Sequence, residues 1–195
     1  MAIKRLILVI SLIRLIPHLA LFALHKNKQI IKYETNRWLQ ITKTDAGTYW
    51  GFVHLMTFYP EFRNLFYYRI GPFKRLVSFL CPKMNTLFIN TINIGPGLFI
   101  QHGFATIIAA NSVGRDCWVN QQVTIGFSNE TEAPDIGDNV AIKAGAKVLG
   151  GITVGNNSTV GANAVVVKNV PDNCIVVGVP AYIIKRDGVK VREDL

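Results

Sequence analysis

Residues 136–166 read IGDNVAIKAGAKVLGGITVGNNSTVGANAVV, and the spacing of one residue type in this stretch decides the fold. Counting by six from Ile136 meets Ile142, Val148, Val154, Val160 and Val166. The same count continues upstream of a polar excursion through Ile125, Val119 and Val113, and then, across one extra residue, through Thr106, Ile100 and Ile94. Two residues ahead of each marked position stands a second set, mostly small or apolar, such as Leu98, Cys117, Val123, Val140, Ala146 and Ala164. Small or polar residues follow the marked ones, as in IGPG, VGRD, IGDN, VGNN and VGAN. So much glycine and so many β-branched residues exclude helices and describe short strands joined by tight turns. Three strand-and-turn units make a triangular coil of about eighteen residues, stacked as a solenoid around an apolar axis.

The rest of the 195-residue chain has a different period. In PEFRNLFYYRIG, Pro60 suits a first helical position, and Phe62, Leu65, Phe66 and Ile70 recur at three- and four-residue spacing. Trp50, Phe52 and Phe58 suggest an earlier helix, and FKRLVSFLCP a short later one. Residues 3–24, IKRLILVISLIRLIPHLALFAL, are apolar over about the length of a membrane span, but Arg14, Pro17 and His18 interrupt them. Three readings stay open: a helix in the membrane interface, a span, and a helix buried against protein. The expected organisation is an apolar, basic N-terminal helix over 1–30, a helical aromatic-rich segment over 31–85, the solenoid over 86–185 and a polar tail over 186–195.

Composition narrows the partners. The net charge is +9, yet only 17% of residues are charged, so the chain lacks the dense basic stripe that displaces counterions from nucleic acid. A membrane surface or small anionic ligands fit better. Cys81, Cys117 and Cys174 are odd in number, without metal-ligand spacing, and read as reduced cytosolic thiols.

The segment IQHGFATIIAANSVGRDCWVNQQVTIG (100–126), the stretches IKAGAKVLGG and VGANAVVVKNVPDN, and the closing VVGVPAYIIKR carry a family resemblance. Over residues 92–184 the chain resembles the hexapeptide-repeat acyltransferases, in particular their serine acetyltransferase and polysaccharide O-acetyltransferase branches. The resemblance implies a mainly-β fold, a left-handed parallel β-helix preceded by an α-helical segment. It implies transfer of an acetyl group from acetyl-CoA to a hydroxyl, with no metal, in a homotrimer whose active sites lie between subunits. His102, which sequence alone would leave as a solvated turn residue, becomes the general base; an imidazole can take the hydroxyl proton during attack on a thioester. Gly126, Ala144, Gly145 and Ala162 would let pantetheine approach the backbone, while Lys168, Lys185 and Arg186 would meet phosphates.

The chain also departs from the serine acetyltransferases it resembles. Those enzymes carry an aspartate immediately before the base, where this sequence has Gln101, and a histidine in the loop matching GFSNETEAPD (126–135), which has none. Gln101, Glu130 and Glu132 are therefore the acceptor-site candidates. Asn90, Asn93 or one of the two glutamates is the candidate partner for His102. The aromatic segment before the repeat resembles enzymes that acetylate capsular or exopolysaccharide precursors. The expectation is a sugar O-acetyltransferase, cytoplasmic and peripheral at the inner face of the membrane through residues 1–30. The alternatives are serine O-acetylation for cysteine synthesis and a catalytically inactive membrane-bound scaffold.

Overall fold

On one face of the solenoid the residue after the marked position is glycine (Gly95, Gly114, Gly137 and Gly155) because the next coil lies directly against it. In a computed structural model of the protein, which describes residues 2–195, a Cβ on Gly155 would stand 2.5 Å from the backbone nitrogen of Asp172 and 2.7 Å from the carbonyl carbon of Pro171. Gly95 and Gly114 are crowded in the same way by the coil that follows each. The polar residue next in line stitches the coils together. Asp138 Oδ1 accepts from the Arg115 N–H (2.8 Å), Asn156 Oδ1 from that of Asp138 (2.7 Å), and Asp172 Oδ1 from that of Asn156 (2.7 Å). One residue further on, Asn139, Asn157 and Asn173 all have φ of 56°, in the left-handed region that asparagine tolerates, and their side-chain amides form a ladder along the solenoid.

These corners join three faces of parallel strands. The first face has five strands: Leu87–Ile89, Thr106–Ile108, Thr124–Gly126, Lys147–Leu149 and Val165–Val166. The second has four: Asn93–Ile94, Ser112–Val113, Asp135–Ile136 and Thr153–Val154. The third runs through Phe99–Ile100, Trp118–Val119, Ala141–Ile142, Thr159–Val160 and Cys174–Val177. All twelve marked residues are buried. A fully buried Val or Ile contributes roughly 1.5–3 kcal/mol, so the stacked column is the main stabilising term of this unit.

Two expectations need correction. The marked position on the first face is Ile108, which pairs with Ile89 and Ile125, whereas Thr106 pairs with Leu87. Counted through Ile108, the step from Ile100 is eight residues and the step to Val113 is five, so the irregularity falls on both sides of this strand and includes the corner that carries His102. The expected polar tail is instead a strand. Tyr182–Arg186 pairs antiparallel with Cys174–Val177, and Val189–Asp194 pairs antiparallel with Tyr182–Arg186.

The chain divides into two compact units, Met1–Met84 and Asn85–Leu195. The first is helical: α1 (Ala2–Leu24), α2 (Lys28–Ile41), α3 (Thr48–Phe58) and α4 (Pro60–Ile70), followed by a 3-10 segment, Gly71–Leu76. Its core is aromatic: Phe52 packs edge-on against Phe62 and Phe66, and Trp38 against Phe62. At its centre the Arg69 guanidinium meets the Glu34 carboxylate at 2.6 Å with both side chains buried. Phe62, Leu65, Phe66 and Ile70, read from the sequence as one packing face, are all buried.

Candidate active site

His102 stands where the third face turns into the first. Its φ is 56° and that of Ala105 is 50°, so the chain makes two left-handed excursions within this corner. Most other corners use asparagine or glycine at such positions, with Asp116 and Gln122 as the exceptions, and a histidine there carries a conformational cost. The His102 side chain is exposed, and its carbonyl accepts a hydrogen bond from the Phe104 N–H. It is the only histidine in the second unit. His18 is buried in the helical unit, with Nε2 2.9 Å from the Tyr67 hydroxyl.

Beside it, Gln101 is half-buried, and its Oε1 accepts from Trp118 Nε1 (3.2 Å) and Asn120 Nδ2 (3.1 Å). Both acceptor directions of the carbonyl are thereby used, and the amide NH2 is the end left to meet a ligand. Trp118 is held in turn, edge-on to Phe99 (4.8 Å between centroids) and beneath the Lys143 ammonium (5.0 Å). Asn120 Oδ1 and Gln121 Oε1 are buried without a hydrogen-bond partner among the described residues. Trp118, Asn120 and Lys143 were not singled out from the sequence. The register holds the clue, because Gln101, Asn120 and Lys143 each follow a paired residue of the third face, Ile100, Val119 and Ile142.

The other expected site residues scatter over three places. Ala144, Gly145 and Ala162 lie at the same kind of corner as His102, in later coils. Gly145 is required by the fold itself: its φ is 74°, and a Cβ would collide with Asn163 Oδ1. Gly126 is different, since a Cβ there would meet nothing within 4 Å, so the chain's own packing does not demand glycine. Glu130 and Glu132 are exposed in the excursion, which leaves the first face for the second at another corner of the triangle. There Glu132 accepts from Asn129 Nδ2 (2.8 Å), and among the described residues no hydrogen bond links either glutamate to His102.

The third place is the end of the solenoid. A cleft of about 470 Å³ is lined by Val167, Lys168, Val179, Pro180, Tyr182 and neighbouring residues. Lys168 Nζ donates to the Leu195 carbonyl oxygen (2.5 Å). Arg186 is paired with Glu193 (2.5 Å), a bond that holds its guanidinium above its ordinary pKa. Lys185, on the same strand, is half-buried.

The cysteines take no part in the site. None is in a disulfide, and all three are buried. Burial pushes the Cys81 and Cys174 thiols up, toward the unreactive protonated form. Cys117 Sγ donates to the Gly137 carbonyl at 3.1 Å, as a core thiol does. Among the described residues, no group of three or more His, Cys, Asp and Glu side chains is placed to hold a metal ion.

Comparison with known proteins shows what this geometry resembles. The bacterial transferase hexapeptide (six repeats) model matches residues 134–168. A serine acetyltransferase from Staphylococcus aureus is 46% identical over 102 residues, covering 50% of this chain and 48% of that protein. One from Synechococcus elongatus is 38% identical over 132 residues, covering 65% of this chain and 54% of that protein. The crystal structure of serine acetyltransferase from Brucella abortus superposes with a TM-score of 0.68 at 26% identity, over 86% of this chain and 72% of that one. The chain spans about half the length of the curated relatives it matches. The solenoid is a left-handed β-helix of the hexapeptide-repeat transferase type. Within that type the chain is serine acetyltransferase-like.

Proposed function

We propose that this protein is an acetyl-CoA-dependent O-acetyltransferase with His102 as general base, and that its acceptor is the hydroxyl of serine. The observation that carries the reaction is the exposed imidazole where the third face turns into the first in a serine acetyltransferase-like β-helix. The acceptor hydroxyl gives its proton to the imidazole as its oxygen attacks the thioester carbonyl. The tetrahedral adduct collapses with cleavage of the carbon–sulfur bond, and the imidazolium returns the proton to the departing thiolate. The products are an O-acetyl ester and free coenzyme A.

Acetyl-CoA fits the second unit by shape and charge. The cleft beside Lys168 is largely apolar, with the Lys168 ammonium and the Asp194 carboxylate in its lining, and the open space in the Cβ direction of Gly126 leaves room for pantetheine. Lys185 is a further phosphate contact. Arg186 serves only if phosphate displaces Glu193. In this reading Ala144, Gly145 and Ala162 keep the corners low along the coenzyme's path, and a neighbouring subunit of a homotrimer completes the site. The reaction belongs in the cytoplasm, where acetyl-CoA is available.

The similar proteins named above are serine acetyltransferases, and none supports the sugar acceptor expected from the sequence. A capsular or exopolysaccharide sugar hydroxyl stays as a second reading on one observation. Gln101 presents an uncharged amide beside the base, and the 126–135 loop offers only Glu130, Glu132 and Asp135 as ionisable groups, so a cationic anchor for an amino acid's carboxylate is missing from both. Release of coenzyme A thiol, followed with free L-serine and separately with nucleotide sugars and a lipid-linked glycan, separates the two. Turnover of serine that falls at least a hundredfold in His102→Ala is the expected result. Turnover of a glycan alone transfers the proposal to the second reading. No turnover of any acceptor, together with no retention of acetyl-CoA, leaves the inactive scaffold.

A further inference from the structure

The net positive charge of this protein is all in one unit. Residues 1–84 hold 13 Lys and Arg against 3 Asp and Glu, a balance of +10; residues 85–195 hold 8 against 9, a balance of −1. The basic unit is also the one that exposes large apolar side chains in a continuous pattern. On α1, Leu8, Ser11, Leu15, His18 and Phe22 recur every three or four residues and are buried, with Phe22 stacked against Tyr49 and Phe52 of α3. The opposite side of the same helix carries Leu6, Ile10, Ile13 and Ile16, exposed by 60–75%. This bare stripe runs for about 15 Å of the ~34 Å that a 23-residue helix spans.

A second patch lies at the C-terminal end of α1. The α1–α2 turn is tied to the end of α4 by the bond from Asn27 Nδ2 to the Arg69 carbonyl (2.7 Å), and the His25 ring stands edge-on to Phe73 at 5.6 Å. Exposed Lys26 and Lys28 on one side and exposed Lys74 and Arg75 on the other therefore share a neighbourhood with the exposed apolar side chains of Leu24, Phe73 and Leu76.

We propose that the helical unit docks on an anionic lipid surface, with α1 lying along the interface and the Lys26, Lys28, Lys74 and Arg75 cluster at the headgroups. An apolar stripe rimmed by cations is complementary to a bilayer surface that is apolar below and negatively charged above. A second copy of the chain is the poorer occupant, because pairing these faces would bring one +10 unit against another. Nor does α1 cross the bilayer: its other face is committed to protein, including the His18–Tyr67 bond, and Arg14 lies midway along it. This docking is independent of which hydroxyl the enzyme acetylates.

The test is flotation of the full chain with vesicles of phosphatidylcholine alone and of phosphatidylcholine mixed with phosphatidylglycerol. The chain is expected to float with the mixed vesicles, to be released by high salt, and to stay in solution with phosphatidylcholine alone. Lys74→Ala/Arg75→Ala should weaken binding roughly twentyfold, at about fivefold per cation. Ile10→Glu/Ile13→Glu should abolish it with the far-UV circular dichroism unchanged. Failure of the wild type to bind mixed vesicles overturns the proposal, and so does binding that neither double variant weakens. It is equally overturned if the chain ignores vesicles but self-associates in solution through a contact that Ile10→Glu/Ile13→Glu abolishes, since the face then belongs to a second copy.

Discussion

Gln101 ties two coils together beside His102, the candidate base. Its carbonyl satisfies Trp118 Nε1 and Asn120 Nδ2, so the side chain is a structural tie as well as a candidate contact. Gln101→Glu keeps the shape and both acceptor bonds while placing a negative charge beside the base. A charge-assisted bond to an ammonium is about twice as strong as a neutral one. If free serine binds here through its amino group, the KM for serine should fall by roughly tenfold, about 1.4 kcal/mol, with kcat little changed. Steady-state kinetics with serine decide it, and an unaltered KM removes residue 101 from the acceptor site. Gln101→Leu tests the tie: stranding two partly buried donors should cost about 1–3 kcal/mol, read as a lowered urea midpoint. The sequence singled out Gln101 and His102 but gave no hint of the Trp118–Lys143 stack, because contacts between coils appear only once the register is translated into vertical neighbours.

At the scale of elements, the six-residue register was legible because an apolar side chain facing the axis recurs once per strand whatever the turns contain. Its one error is instructive. Thr106 and Ile108 are two residues apart on one strand, so both point to the axis and both are buried. Periodicity cannot choose between them; only pairing with Leu87 and Ile89 does. The C-terminal hairpin was hidden for another reason: five charged side chains between Asp187 and Asp194 read as solvated, although antiparallel pairing at the end of the solenoid needs only one covered face. The glycine corners make a sharp prediction. Gly155→Ala forces a methyl against the Pro171–Asp172 backbone, which has no rotamer to yield, and should destabilise the second unit by about 1–3 kcal/mol. Gly126→Ala, with nothing within 4 Å, should leave its thermal midpoint unchanged. In the helical unit the sensitive element is the His18–Tyr67 contact. Burial lowers the His18 pKa to about 4, opposed by the nearby Arg14 backbone and helped by the Arg14 and Arg63 charges. The unfolded chain thus binds a proton between pH 6.5 and 4 that the folded chain refuses, and the stability held above that window is lost as pH falls through it. The loss is roughly 3 kcal/mol. Urea unfolding at the two ends of the window should show it, and His18→Gln should flatten the dependence; an equally steep dependence in that variant would assign it to the carboxylates instead.

The whole molecule raises the question of what covers the surface around His102. Phe88 and Ile107 are register partners on the outer side of the first face and are 51% and 38% exposed; Phe104, in the His102 corner, is 56% exposed. Three large apolar groups beside a candidate base form the kind of patch that a monomer seldom leaves in water. Within one chain, moreover, the excursion carrying Glu130 and Glu132 lies at a different corner from His102, so any role for those glutamates in binding an acceptor must be played across a subunit boundary. A homotrimer meets both requirements, since a neighbouring coil can bury the patch and bring its own loop to the base. Light scattering coupled to size exclusion should therefore give three times the chain mass, measured with enough detergent to keep α1 from confusing the result. Phe104→Glu/Ile107→Glu should dissociate the trimer and abolish acetyl transfer together, whereas His102→Ala should abolish transfer and leave the trimer whole. Mixing His102→Ala with Glu130→Ala/Glu132→Ala supplies the decisive control. If subunits exchange and the site is shared, intact His102 from one and an intact loop from the other should restore part of the activity; a fully active monomer would instead place the entire site within a single chain.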